Sequence, residues 1–347
     1  MPHPIPTRLN LAFSLGMLVL HALALLAVPL WLLPMSAAWI LVLILPALLS
    51  PMLWSLIHEA VHGLLHPRPG VNALLGRALA VAFGAPFRPL RFAHLRHHRY
   101  NRTSIARDEV YDETRTPRWH ATLEHHLRLL GGLYAAEVAL NLLCWLPRPL
   151  LARIAFLKPP PEWPQATAPA QRLADRELLS APARWEMRLD ALAVLILYGT
   201  AFWLFGAWWP TLLCMLLLRG LLISALDNAY HHATPLAHRP HEPSTAAADP
   251  GALATNSPET SGPVDSAGSG AVPAHLFALN LRASVVVRGL LLNMNLHRAH
   301  HRDVRLPWHA LPAHADAHAD DIGFWEGVLR QWRGPVPAGQ LRESVVP

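Results

Sequence analysis

Residues 36–62 read SAAWILVLILPALLSPMLWSLIHEAVH. From 36 to about 57 the run carries no charge, and it ends at His58-Glu59. A charge-free apolar run of this length is a membrane-crossing helix rather than the half-polar helix of a soluble domain. Pro46 and Pro51 should bend it, which neighbouring helices or a lumen can accommodate. At its polar end His58 and His62 are four residues apart, so a helix brings both imidazoles to one face, where they can meet one metal ion. His66 extends that row by a turn, but Pro67 ends the helix.

Toward the N-terminus, Pro34-Met35 separates this run from an equally charge-free one at 11–33. At about 1.5 Å per residue these positions reach about 34 Å, enough for a hydrocarbon core of about 30 Å. A second apolar run follows at once, and the first exceeds the roughly 7–15 residue core of a secretory signal, so it reads as an anchor. Toward the C-terminus a second hairpin is predicted at 191–207 and 210–226, turning at Trp208-Trp209-Pro210, tryptophans that suit a membrane interface. Weaker stretches at 71–86 and 127–146, interrupted by Arg77, Glu137 and Asn141, read as interfacial or partly inserted helices.

The expected fold is therefore all-α: a multi-pass membrane protein with four main transmembrane helices in two hairpins and a helical cytoplasmic cap. Residues 1–10 form a cytoplasmic N-terminus, 11–305 the membrane domain and 306–347 a cytoplasmic tail. A proline-rich connector falls at 158–170, and an Ala-, Pro-, Ser-, Thr- and Gly-rich insertion, expected to be disordered, at 240–273. Nine arginines lie between 88 and 128 (Arg88, Arg91, Arg96, Arg99, Arg102, Arg107, Arg115, Arg118 and Arg128), and neither hairpin turn has a Lys or Arg. The positive-inside bias puts both termini and every long loop in the cytoplasm. All histidine-rich segments then share one side of the membrane.

Composition agrees. Hydrophobic residues make up 52% of the 347, and charged residues only 15%, against about 25% in ordinary soluble domains, which argues against a soluble enzyme. Two cysteines, Cys144 and Cys214, cannot build a disulfide framework or an iron–sulfur cluster, and both are expected to be buried and inert. Histidines number 22, nearly as many as the 23 acidic residues.

Two further clusters share one spacing: His94-Leu-Arg-His97-His98 and His297-Arg-Ala-His300-His301. Offsets of three and four put the later pair on either side of the face marked by the first histidine, so one helical turn can serve two adjacent metals. A fourth element, Asp227-Asn228-Ala-Tyr-His231-His232, follows the fourth predicted crossing. His231 and His232 lie three and four residues after Asn228, and spacing does not choose between them. One of them with the other three clusters makes nine imidazoles, too many for one ion and suited to two. Neutral imidazole accepts iron, zinc, copper and nickel about equally, so ligand type leaves the metal open. Glu59, Asp227 and Asp303 each stand beside a cluster and are candidates to orient its imidazoles. Asn293, four residues before His297, could hold a water near a metal or be a plain surface amide.

These motifs, His58/His62, His94/His97/His98 and His297/His300/His301 between helical hairpins, resemble the membrane fatty acid desaturase and hydroxylase superfamily over most of residues 11–305. The resemblance implies a non-haem di-iron centre facing the cytoplasm that activates dioxygen and removes hydrogen from an unactivated carbon. A further histidine after an asparagine is typical there, which brings Asn228 into the site with His231 or His232. The expected activity is desaturation of a fatty acyl or other lipid chain; hydroxylation, carotenoid oxygenation or oxidative decarboxylation to a terminal alkene would use the same ligands.

No part of the sequence offers a convincing site for a haem, flavin or iron–sulfur cluster, so electrons must come from a carrier such as a ferredoxin with its reductase. The arginine-rich stretch is a candidate dock, or simply sets topology and touches anionic lipid. No nucleic-acid partner is expected. His21, inside the first span, is a functional candidate by its place or, more simply, a neutral histidine bonded to a neighbouring helix, and Arg219, inside the fourth, reads as a snorkelling or acid-paired cation. His125-His126 and His309, His314 and His318 lack the recurring spacing and read as surface or substrate-loop residues. A rival reading is an intramembrane zinc protease using His58, Glu59, His62 and Asp227, which leaves both five-residue clusters idle. Non-enzymatic metal binding or transport is a third; it predicts ligands strung along the crossings.

Overall fold

The computed structural model describes residues 3–154, 167–236 and 277–341. The insertion expected at 240–273 lies outside the described residues, as does most of the proline-rich connector. The described chain is mostly helical. Its strands are two-residue pieces in two parallel pairs, Val110–Tyr111 with Val336–Pro337 and Leu281–Arg282 with Ile322–Gly323.

The first apolar run forms α1, Thr7–Leu32, whose second half widens into π-type turns around Pro29, a residue with no N–H to give. The run quoted first forms α2, Ala37–Val61. It begins as a 3-10 helix over Ala37–Leu43 and breaks at Leu49, between the two prolines expected to bend it. Both are long and apolar enough to cross a membrane.

Helices α3, Pro69–Phe83, and α4, Phe87–Tyr100, meet at 99° and together make one further candidate span. Gly84 turns the corner at φ +105°, a conformation that favours glycine. Asp190 fixes the bend, accepting 2.7 Å from Arg77 Nε and 3.3 Å from the Phe87 N–H at the start of α4. The arginine that interrupts the 71–86 run is thus neutralised inside the protein. α3 lies tight against α2: a Cβ on Gly76 would stand 2.8 Å from that of Ala60.

The stretch 127–146 is not one helix. It divides between α5, Arg118–Leu127, and α6, Leu133–Leu143, on either side of Gly131 at φ +114°. The third long apolar stretch, Ala181–Tyr230, consists of α7, Ala181–Phe205, and α8, Trp209–Asp227, joined by a 3-10 turn at Gly206–Trp208. Pro210 sits in the first turn of α8, where its missing N–H costs nothing. The outward faces carry Leu15, Val19, Trp31, Leu41, Ile196, Trp203 and Leu217, a surface suited to lipid. Cys144 is buried as expected, but Cys214 is exposed on this outer face of α8, because apolar surroundings there need not be protein.

Arg219 neither snorkels nor meets an acid. It is fully buried, and its guanidinium donates to the Ala82 and Phe83 carbonyls at the end of α3 (3.2 and 3.0 Å), to Tyr198 Oη (2.8 Å), to Ser50 Oγ (3.1 Å) and to His21 Nε2 (2.7 Å). The negative end of the α3 dipole replaces a carboxylate. His21 Nδ1–H in turn donates to the Met17 carbonyl at 2.8 Å, so His21 is the neutral, inter-helix-bonded residue expected. One side chain joins α1, α2, α3, α7 and α8.

The residues after 305 fold back on this body. The Trp308 indole donates to Asn10 Oδ1 at 2.8 Å, and Gln331, which follows α10, Phe324–Arg330 (α9 being His297–Arg302), donates to the Ala225 carbonyl at 2.8 Å. Replacing Arg219 by Leu leaves its buried oxygen partners unpaired and is expected to cost about 2–4 kcal/mol. A thermal melt of the purified variant in detergent, compared with the parent, checks this.

Candidate metal centre

The C-terminal turn of α2 is held by Asn72, which donates 2.8 Å to the Ala60 carbonyl and accepts from the Leu65 and His66 N–H groups at 3.1 and 3.2 Å. His58 and His62 are thereby fixed on one face. α4 carries His94, His97 and His98, and α9 carries His297, His300 and His301. The helix α9 has only six residues and is steadied from outside: the buried Arg298 pairs with Asp321 at 2.5 Å, and Asn280 Oδ1 accepts the Arg298 N–H at 3.1 Å.

These segments converge. His58, His62, His94, His98 and His300 form one group, and His97, His231, His297 and His301 a second; within each, the facing ring nitrogens lie within 4.8 Å of one another. In the first group, Nε2–Nε2 separations are 3.1 Å for His58–His300, 3.0 Å for His62–His94, 2.9 Å for His94–His98 and 3.0 Å for His98–His300. In the second they are 3.0 Å for His97–His231 and 3.1 Å for both His231–His297 and His297–His301. As predicted, the twin His-x-x-His-His spacing splits each cluster between two sites.

The donor set fits two metal ions. A metal–imidazole bond of about 2.1 Å puts adjacent donors about 3.0 Å apart, the spacing observed. Burial keeps the rings in the neutral form that ligates. It holds His300 down to about 3 and, with the neighbouring rings, His231, His297 and His301 well below their ordinary value. His58 and His297 also have buried Nδ1 atoms without a partner, so their binding edge is Nε2, turned into the cluster.

The structure separates His231 from His232. His231 Nδ1–H donates to the Phe277 carbonyl at 2.8 Å, which fixes the proton there and turns Nε2 toward His97 and His297. His232 belongs to neither group. Its ring lies 6.1 Å from that of His125, beside the buried Arg102–Glu109 pair, whose contact is 2.6 Å. Arg102 also donates to the carbonyls of Thr234 and Pro235, and Glu109 accepts the Ala233 N–H, so this pair sets the path of the chain just after His231.

Neither the three acids expected to orient the imidazoles nor Asn228 hydrogen-bonds a clustered imidazole through its side chain. Glu59 is buried and accepts the Trp308 N–H at 3.3 Å. Asp303 is occupied by Arg305 at 2.8 Å. The Asn228 backbone carbonyl accepts the N–H groups of His231 and His232, which makes the turn, and Asp227 lines the cavities beside the cluster. Asn293 is tied to Arg288 and to the Trp308 carbonyl and serves the backbone, not a metal. The protease arrangement is absent: three further imidazoles crowd His58 and His62, while Glu59 is engaged with Trp308.

The family model described as fatty acid desaturase matches residues 36–332, which include all nine clustered histidines. The chain belongs to the fatty acid desaturase family. No curated protein and no solved structure matches it. For a desaturase-family chain, the space beside the metal centre is as informative as the ligands. A cavity of about 220 Å³ adjoins the cluster, walled by Trp54, Leu90, Ile223 and Leu291 on its apolar side and by His58, His94, His97, His231 and His297.

Several contributors carry no mark in the sequence. The Phe277 carbonyl, Asn72 and the Arg102–Glu109 pair act through contacts between distant segments. Of the histidines read as surface residues, His125 is buried and donates to the Gln331 carbonyl at 2.8 Å. Replacing His231 by Ala should weaken metal retention more than tenfold, whereas His232→Ala should leave it unchanged. Metal analysis of both purified variants after dialysis distinguishes them.

Proposed function

We propose that this protein is an oxygen-dependent di-iron oxidoreductase that removes hydrogen from a fatty acyl or other lipid chain, desaturating it. The observation that carries the reading is the pair of imidazole groups, five and four strong, within one cluster. Iron bound there would supply the oxidant, made from dioxygen, that an unactivated C–H bond requires. His58, His62, His94, His98 and His300 would hold one ion, and His97, His231, His297 and His301 the other.

The chain's own residues do the rest. Trp54, Leu90, Ile223 and Leu291 seat an apolar segment beside the imidazoles and keep water from it. The Phe277 carbonyl holds the His231 proton on Nδ1, away from the centre. Taking two hydrogens from a chain yields two electrons, while reducing dioxygen to water consumes four. The remainder must come from outside, and a ferredoxin-like carrier with its reductase fits. Arg88, Arg91, Arg102 and Arg128 are engaged with Glu177, Glu186, Glu109 and Asp108, and Arg115 with Asp112, which makes the exposed Arg118 the part of the basic stretch best placed to meet an acidic carrier. The arginine bias supports four crossings in two hairpins, with the centre at the cytoplasmic face.

Cells expressing the protein, fed defined lipids and profiled by mass spectrometry, should accumulate an unsaturated product that falls at least 100-fold with His97→Ala. Hydroxylated products or terminal alkenes would redirect the reaction type. Identical profiles across a broad panel, or purified protein holding one zinc in place of about two irons, would overturn the reading.

A further inference from the structure

The cavity beside the cluster is small and is not uniformly apolar. At about 220 Å³ it exceeds the roughly 150 Å³ cavity that takes up benzene, and falls short of the roughly 300 Å³ at which pockets for whole drug-sized ligands begin. It holds a short segment of a substrate, so whatever polar group its wall presents must meet that segment.

Two protic side chains on this wall have no assigned work. Tyr230 is 6% exposed, its ring lies against His297 with centroids 4.7 Å apart, and its hydroxyl makes no hydrogen bond to a described residue. Glu137, on α6, lines the same cavity, and its Oε2 is out of solvent and without a partner. Leaving the buried Glu137 oxygen unpaired is costly, and a polar ligand group would relieve it. Three other polar lining groups have neighbours of their own: Ser55 Oγ lies 2.8 Å from the Leu291 carbonyl, Asp108 is paired with Arg128 at 2.5 Å, and Arg96 lies 6.0 Å over the Tyr100 ring.

The sign of the charge narrows the ligand. Asp108 is answered by Arg128, which leaves Glu137 and Asp227 as two carboxyl groups in one small space, where a free carboxylate on the ligand would meet Asp227. Burial and the neighbouring Asp227 lift the Glu137 carboxyl well above its ordinary range, which favours its protonated, hydrogen-donating form. We propose that Tyr230 and Glu137 together receive a neutral oxygen of the substrate, a hydroxyl or the carbonyl of an ester or thioester, beside the histidine centre. The segment oxidised here then carries such an oxygen nearby and is neither plain hydrocarbon nor a free acid at that point. This specifies the substrate class of the reaction proposed above and rests on that reading only for the lipid chain to which the oxygen is attached.

The test is binding by the iron-loaded full-length protein in detergent, titrated with decane, 1-decanol, methyl decanoate and decanoate and read by native mass spectrometry. The alcohol and the ester should bind five- to tenfold more tightly than the hydrocarbon and the carboxylate. Tyr230→Phe, which keeps the ring against His297, and Glu137→Leu should each abolish that preference, whereas Glu137→Gln, still a donor, should retain it. Iron content and melting temperature show that each variant has folded; if Glu137→Leu has not, Tyr230→Phe decides alone. Decane binding as tightly as the ester, decanoate binding best through Arg96, or an unaltered ranking in Tyr230→Phe would each overturn the proposal. No turnover is needed, so a lipid panel without products would sink the oxidation reading and leave this ranking legible.

Discussion

Nine neutral imidazoles pointing their Nε2 atoms at one another across about 3 Å, inside a protein, are an unfavourable arrangement unless something positive sits among them. Their lone pairs repel, and burial removes the water that would separate them. The same geometry becomes favourable when each group closes on a cation. The protein's other polar devices serve to bring four sequence-distant segments to this place and hold them there.

The helical body does this with a few buried polar contacts set between apolar surfaces. Without a strong hydrophobic drive between helices in lipid, small residues and polar bonds decide how they pack. Gly76 lets α3 approach α2, Asn72 fixes the turn that ends α2, Asp190 pins the corner between α3 and α4, and Arg219 gathers five helices. Each contact lies within or beside an element that carries clustered histidines or packs on one that does. Rigid supply lines of this kind matter because a ligand displaced by an ångström no longer ligates.

Much of this was legible in the sequence, for a clear reason. Long charge-free runs and the i, i+3, i+4 offsets of histidines are local patterns, and local patterns survive without knowledge of the fold. The runs at 11–33 and 36–57 became α1 and α2 within a few residues, and the three main clusters came together. The failures were non-local. His231 and His232 are equivalent by spacing and are told apart only by the Phe277 carbonyl, 46 positions away, and the Arg102–Glu109 pair. Glu59 and Asp303 stand beside histidines in sequence yet turn to Trp308 and Arg305, since neighbours on a helix face different directions. Arg219 was expected to find an acid or the membrane surface, and nothing local signals that two carbonyls at the end of α3 would receive it.

The two imidazole groups are unequal, and the inequality has a direction. A metal held by four imidazoles keeps more positions open than one held by five, and open positions are where exchange with small molecules takes place. The cavity meets three members of the smaller group, His97, His231 and His297, but only His58 and His94 of the larger. The side with fewer protein donors is thus the side turned toward the apolar wall of Trp54 and Leu291 and toward Tyr230, whose ring rests on His297 itself. The single histidine at 231, held by one backbone carbonyl, completes the site that the cavity can reach.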